Sequence, residues 1–237
     1  MKKNHAPILV TLAAPPETAA SDSPIRPDRL LLPEKLTGPC PLAVLIEDDR
    51  DCAWEAEQLK NQGYAVFCCE ARRSMEGSRE SCLDWQLSFQ EKLERLFAAQ
   101  PCLDRSRVFL DGWMSAFLVF RSNGFRAAVQ RAALLDMASA YGSCAAGQTA
   151  PFGSSFKEML RSLTDQSVIA EADSCKTPLL VLYQQGEDRY CPEQSEILYS
   201  VMKDRNPEVP CRLAVFPETA SKERVLREIT DWWRRFD

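Results

Sequence analysis

Apolar runs of strand length recur along this chain with amphipathic stretches between them, and that alternation limits the possible folds more than any other feature. Pro41 to Ile46 (PLAVLI), Tyr64 to Cys69 (YAVFCC), Pro178 to Tyr183 (PLLVLY) and Arg212 to Phe216 (RLAVF) are nearly continuous in hydrophobic residues. Such strands are buried on both faces, as in a parallel sheet covered by helices. Cys52 to Gln62 has helical spacing and stops at Gly63, a natural residue just past a helix end. Asp84 to Ala99 sets Trp85, Phe89, Leu93, Leu96 and Phe97 on one stripe and ends before Pro101. Val108 to Leu110 and Ala127 to Leu135 read as further strands, with a helix-like run from Ser115 to Arg121 between them. Gln194 to Lys203 is amphipathic, and Lys222 to Phe236 predicts a terminal helix with Val225, Ile229, Trp232 and Trp233 turned inward. The fold class expected is α/β, a mostly parallel central sheet with helices on both faces.

The 237 residues suit one large domain. Residues 1–39 are expected to form an N-terminal arm, rich in Pro and Ser, with an edge strand at Leu30-Leu31-Leu32; residues 40–237 form the domain body. Residues 136–177 break the alternation, where a cap or active-site excursion is expected. With 45% hydrophobic and 27% charged residues the chain is not a disordered or fibrous one. Its net charge of −5, with no block of like charge, argues against nucleic acid as a partner. Lys2 and Lys3 precede a short apolar run, but Thr11 interrupts it and Pro15-Pro16 close it, so a first strand is expected rather than an export signal. No run approaches the roughly 18 apolar residues of a membrane span, so no membrane association is expected. Ten cysteines occur without a CxxC pair; Cys68, Cys69 and Cys211 sit in apolar runs as small hydrophobes, and a reducing cytoplasm is expected. There is one histidine, His5, so chemistry that needs an imidazole base or zinc ligand must use it or do without.

Four segments in order resemble the catalytic domain of the prolyl oligopeptidase and acylaminoacyl peptidase family, which has the α/β-hydrolase fold. These are Leu59 to Val66 (LKNQGYAV), Asp104 to Gly112 (DRSRVFLDG), Gly124 to Gly142 (GFRAAVQRAALLDMASAYG) and Lys176 to Gln194 (KTPLLVLYQQGEDRYCPEQ). The resemblance runs from about residue 40 to residue 237, and the family's β-propeller has no counterpart in residues 1–39. It implies a Ser-Asp-His peptidase whose nucleophile stands in a G-x-S-x-G turn.

Against that pattern the site is degenerate. With Gly112 as the first glycine of the elbow, Trp113 follows, Met114 takes the nucleophile position and Ala116 the last glycine's. A thioether has no proton to lose and forms no acyl-enzyme. Ser115 is a possible alternative nucleophile, but that frame puts Trp113 and Phe117 where small residues are needed. Asp188, in Gly186-Glu187-Asp188-Arg189-Tyr190-Cys191-Pro192, matches the family's acid. The base position lies between Phe216 and Lys222, which contains no His; Glu218 and Lys222 are the ionisable residues there. The oxyanion loop, His-Gly-Gly in type, is replaced by Glu47-Asp48-Asp49-Arg50-Asp51, whose carboxylates oppose a developing oxyanion. Those carboxylates lack the spacing of a calcium loop and read as a solvated acidic loop. Cys191 matches a cysteine that the family does not use as nucleophile. No metal and no cofactor is expected.

The function expected is that of a prolyl oligopeptidase-like domain, catalytically inactive and acting as a binding or regulatory pseudoenzyme. Its partners would be a second copy, an active paralogue, or a peptide or acyl-peptide. Trp232, Trp233 and Phe236 are candidates for such a surface or, as the plainer reading, for core. The alternatives are an active serine hydrolase using Ser115 with a base other than His, and a small-ligand or peptide binder that uses the former substrate crevice.

Overall fold

The computed structural model describes residues 28–36, 38–47, 52–71, 79–143, 155–186 and 192–237. His5, Asp48, Asp49, Asp51, Asp188 and Cys191 lie outside the described residues. Seven strands form one sheet: β1 (Arg29–Leu31), β2 (Cys40–Glu47), β3 (Ala65–Glu70), β4 (Leu103–Gly112), β5 (Ala127–Gln130), β6 (Leu179–Gln184) and β7 (Cys211–Phe216). Their order across the sheet is β1-β3-β2-β4-β5-β6-β7. Among the described strands only β1, at one edge, runs antiparallel; every other pairing is parallel. The chain steps from β2 outward to β3 and then returns past β2 to β4. The order therefore reverses between β2 and β4, and the crevice beyond their carboxyl ends is where such sheets hold ligands.

The helices are α1 (Ala53–Asn61), α2 (Arg79–Ala99), α3 (Ser115–Val119), α4 (Met137–Ser143), α5 (Phe156–Gln166), α6 (Pro192–Arg205) and α7 (Lys222–Arg234), with a 3₁₀ helix at Val168–Ser174. Strand periodicity assigns them to faces. Leu42, Val44 and Ile46 join a core with residues of α2, α3 and α6; Ala43 and Leu45 join the opposite core with Leu59 of α1 and Ile229 of α7. Trp232 and Trp233 belong to that second core at 4% and 0% exposure, and Trp233 stacks on Phe109. Core packing is thus their use, and only Phe236 of the C-terminal aromatic trio remains half-exposed. Among the described residues no helix is long and apolar enough to cross a membrane.

Two strands differ from the sequence expectation. β4 begins at Leu103 rather than Val108: Leu103 pairs with Cys40 of β2, the register then shifts before Leu42 meets Val108, and Asp104 to Arg107 between them stand half-exposed or exposed. β5 ends at Gln130, although the apolar run continues to Leu135. Gln130 and Arg131 turn inward to bind the neighbouring elbow, and after Asp136 come α4, α5 and the 3₁₀ helix before β6.

Candidate active site

The turn from β4 into α3 sits at the topological switch point and carries the elbow residues. Gly112 is required there by close approach: a Cβ would lie 2.6 Å from Ile46 Cβ and 2.9 Å from Ile46 O on β2. This is the backbone proximity that the first glycine of an elbow provides. The tip residue, Met114, has φ −93° and ψ 4°, which is the bridge region found at the end of common turns, with no left-handed strain. Its thioether is 3% exposed and packs in the core on the α2 and α3 side.

Ser115 opens α3 and is fully buried, at 0% exposure, and its Oγ has no hydrogen-bond partner among the described residues. No described base therefore lies within reach of its proton. Trp113, on the other side of Met114, is 5% exposed and its Nε1 is also unpartnered among the described residues. The turn is held by Gln130, 1% exposed at the end of β5. Its Oε1 accepts the Ala116 N–H at 2.5 Å, and its Nε2 donates to Trp113 O at 2.7 Å and also to Arg131 O. In this class of site the N–H of the residue after the nucleophile is an oxyanion donor. For Ser115 that donor is Ala116, and the glutamine carbonyl already occupies it.

Beneath the turn lies an ion pair that sequence reasoning did not single out. Arg131 Nε and Nη2 donate to the two carboxylate oxygens of Asp111, both at 2.7 Å, and Glu55 of α1 is 3.8 Å from Nη2. The Asp111 side chain is 1% exposed and that of Arg131 is 15% exposed. Burial alone would lower the Arg131 pKa, but the charge and hydrogen bonds of Asp111, with the charge of Glu55, raise it above the ordinary guanidinium value. The available signal was an Arg and a Gln within the apolar run AAVQRAALL, since polar residues in a buried strand must be satisfied internally.

The segments where the acid and the base were expected follow β6 and β7. Gly186, at φ +81°, ends the described part of the acid loop; a Cβ there would lie 2.8 Å from Glu218 Cγ and Cδ, so the glutamate side chain lies directly on the glycine. Glu218 O accepts from Gln184 Nε2 at 3.0 Å, which ties the two loops together. Among the described residues no group of three or more His, Cys, Asp or Glu side chains could hold a metal ion. Glu47 closes β2 in register with Glu70 of β3. Gln194 of α6, fully enclosed, accepts the Leu135 and Asp136 N–H groups at 2.9 and 2.8 Å and donates to Ser139 Oγ at 2.9 Å. The start of the excursion is thereby fixed to the helix that follows the acid loop.

No family model matches the sequence, and no curated protein matches it. Solved structures do. Pyrococcus horikoshii acylaminoacyl peptidase aligns with a TM-score of 0.68 at 16% identity, over 89% of this chain and 39% of that one. Porphyromonas gingivalis dipeptidyl peptidase 4 aligns at 0.64 and 14% identity, over 89% of this chain and 33% of its own. The chain thus spans between a third and two-fifths of these peptidases. A Klebsiella pneumoniae protein described as a dienelactone hydrolase aligns at 0.57 and 14% identity, with 88% of this chain and 90% of that one covered. At these identities the likeness establishes architecture: the chain has the α/β-hydrolase fold, matching catalytic domains of prolyl oligopeptidase-type enzymes in structure.

Proposed function

We propose that the chain is a pseudoenzyme of the serine-hydrolase fold, which keeps the scaffold of a prolyl oligopeptidase-type catalytic domain and acts by binding. One observation carries the reading: the nucleophile position holds Met114, and the adjacent hydroxyl, Ser115, is enclosed with the N–H that follows it taken by Gln130. Loss of one oxyanion donor alone costs about 3–4 kcal/mol of transition-state stabilisation. Here the nucleophile is lost as well, and no His stands in the base segment between Phe216 and Lys222. The ligand that suits the crevice is a peptide or acyl-peptide, the substrate class named for the acylaminoacyl peptidase it resembles in fold. A second copy of the chain or an active relative is the macromolecular partner proposed.

A fluorophosphonate probe tests the catalytic half of this reading, with an active serine hydrolase in the same tube as positive control. The expected result is no covalent labelling of the wild-type chain, indistinguishable from Ser115→Ala. Labelling that disappears in Ser115→Ala would overturn the proposal in favour of an active hydrolase.

A further inference from the structure

A groove of about 380 Å³ runs between α1 and α7 and shares no residue with the elbow. Trp54, Gln58 and Gln62, at i, i+4 and i+8, form its α1 wall; Glu223, Leu226, Arg227, Thr230, Asp231 and Arg234 form its α7 wall. Leu226, 5% exposed, gives it an apolar floor, and the half-buried Trp54 gives it an aromatic side.

Its charges are unevenly committed. Arg234 closes one end, donating from Nη1 to Asp231 and from Nη2 to Gln62 Oε1, each at 2.9 Å. The Glu223 carboxyl, at the start of its own helix, is held below its ordinary range by its own backbone N–H and the Ser221 hydroxyl beside it. Glu223 and Asp231 lie four residues either side of Arg227 and are the partners that helix geometry offers it. Both are engaged elsewhere. The Arg227 guanidinium has no hydrogen bond or ion pair among the described residues, and it faces a groove with an apolar floor and an indole wall.

We infer that this groove is a binding site for the C-terminal residue of a peptide, an apolar side chain ending in a free carboxylate. Arg227 supplies a planar fork for the carboxylate, and Trp54 with Leu226 supplies the surface for the side chain. The volume is at the lower end of the range for small-molecule sites and suits one or two residues. The inference is independent of the pseudoenzyme reading, since no elbow residue takes part.

Amide-correlation NMR of the full chain, titrated with N-acetyl-phenylalanine and separately with its carboxamide, tests it. The Trp54 indole signal is assigned from Trp54→Phe. The free acid is expected to shift that signal and the amides of residues 223–234 saturably. Binding should weaken at least about tenfold for the carboxamide, and equally for Arg227→Met with the free acid. Arg227→Met should unfold at the wild-type temperature, because the side chain is exposed and unpaired, so loss of binding is not loss of fold. Equal binding of acid and carboxamide, unchanged binding by Arg227→Met, or no saturation by about 10 mM would overturn the inference. Shifts confined to residues 112–116 would also overturn it, and would place the ligand in the crevice instead.

Discussion

Strand β4 carries an Asp–Arg pair at each end, and the two ends are built on opposite terms. At the amino end Asp104 accepts from the Ser106 N–H at 2.9 Å, the Ser106 hydroxyl at 2.6 Å and Arg107 Nε at 2.8 Å, with both charged side chains partly in water. At the carboxyl end Asp111 takes a two-point hydrogen bond from Arg131 in near-complete burial. Water can satisfy whatever the amino-end pair does not. At the carboxyl end each polar group taken out of water must find a protein partner or bear the desolvation cost. A working catalytic rim keeps donors preorganised but free for a substrate. This rim turns its polar groups inward: Gln130 accepts the Ala116 N–H, Arg131 donates to Asp111, and Ser115 Oγ and Trp113 Nε1, unpartnered among the described residues, are enclosed.

The largest effect should come from breaking the buried pair. Arg131→Met strands Asp111 as an uncompensated buried charge, and the expected loss is about 3–5 kcal/mol in urea unfolding. The double variant Asp111→Leu/Arg131→Met should recover most of that loss, because a well-packed apolar pair avoids the desolvation of both charges. If Arg131→Met costs less than about 1 kcal/mol, the carboxyl end is as solvated as the amino end and the contrast between them fails.

A smaller loss is expected at Gln130→Leu, which keeps the volume but leaves the Ala116 N–H and the Trp113 carbonyl without their partner. An unsatisfied buried group costs about 1–3 kcal/mol, so stability should fall by that order. Hydrogen exchange should quicken at the Ala116 amide while the amides of β2 stay protected. An unchanged Ala116 exchange rate would mean that the elbow is held by something other than this glutamine.

Most of the sheet could be read directly from the chain, because strands buried on both faces must be apolar along their length, as PLAVLI and PLLVLY are. Gly112 was equally legible, and the 2.6 Å approach to Ile46 supplies its physical reason. The first half of β4 was not, since Asp104-Arg105-Ser106-Arg107 is polar throughout and reads as loop. β5 was over-extended for the opposite reason: apolarity in Ala132 to Leu135 reflects burial at the rim, not strand geometry. At the site the absences were visible in one dimension, and the replacements were not. Met114 at the expected nucleophile position is visible in the sequence, but only the fold brings Gln130, fourteen residues on, against Ala116. Gln194 is the same case, separated by 58 residues from the Asp136 carbonyl to which it donates.

The smallest effect belongs to the amino end, where pH provides the cleanest control. Hydrogen bonds from Ser106 and Arg107 hold the Asp104 carboxyl down from 3.8 to about 2. A carboxylate depressed in the folded state contributes stability above its unfolded pKa, and that contribution is lost as pH falls through the folded value. The pair stands partly in water, which screens it, so Asp104→Asn should cost no more than about 1 kcal/mol at neutral pH. The difference between wild type and variant should hold steady down to about pH 4 and close by about pH 2. It should also shrink with added salt, which screens a pair in water far more than one in the core. The Arg131→Met loss, by contrast, should respond little to salt. If salt erased both alike, the two ends of β4 would share one environment, and the contrast between them would fail.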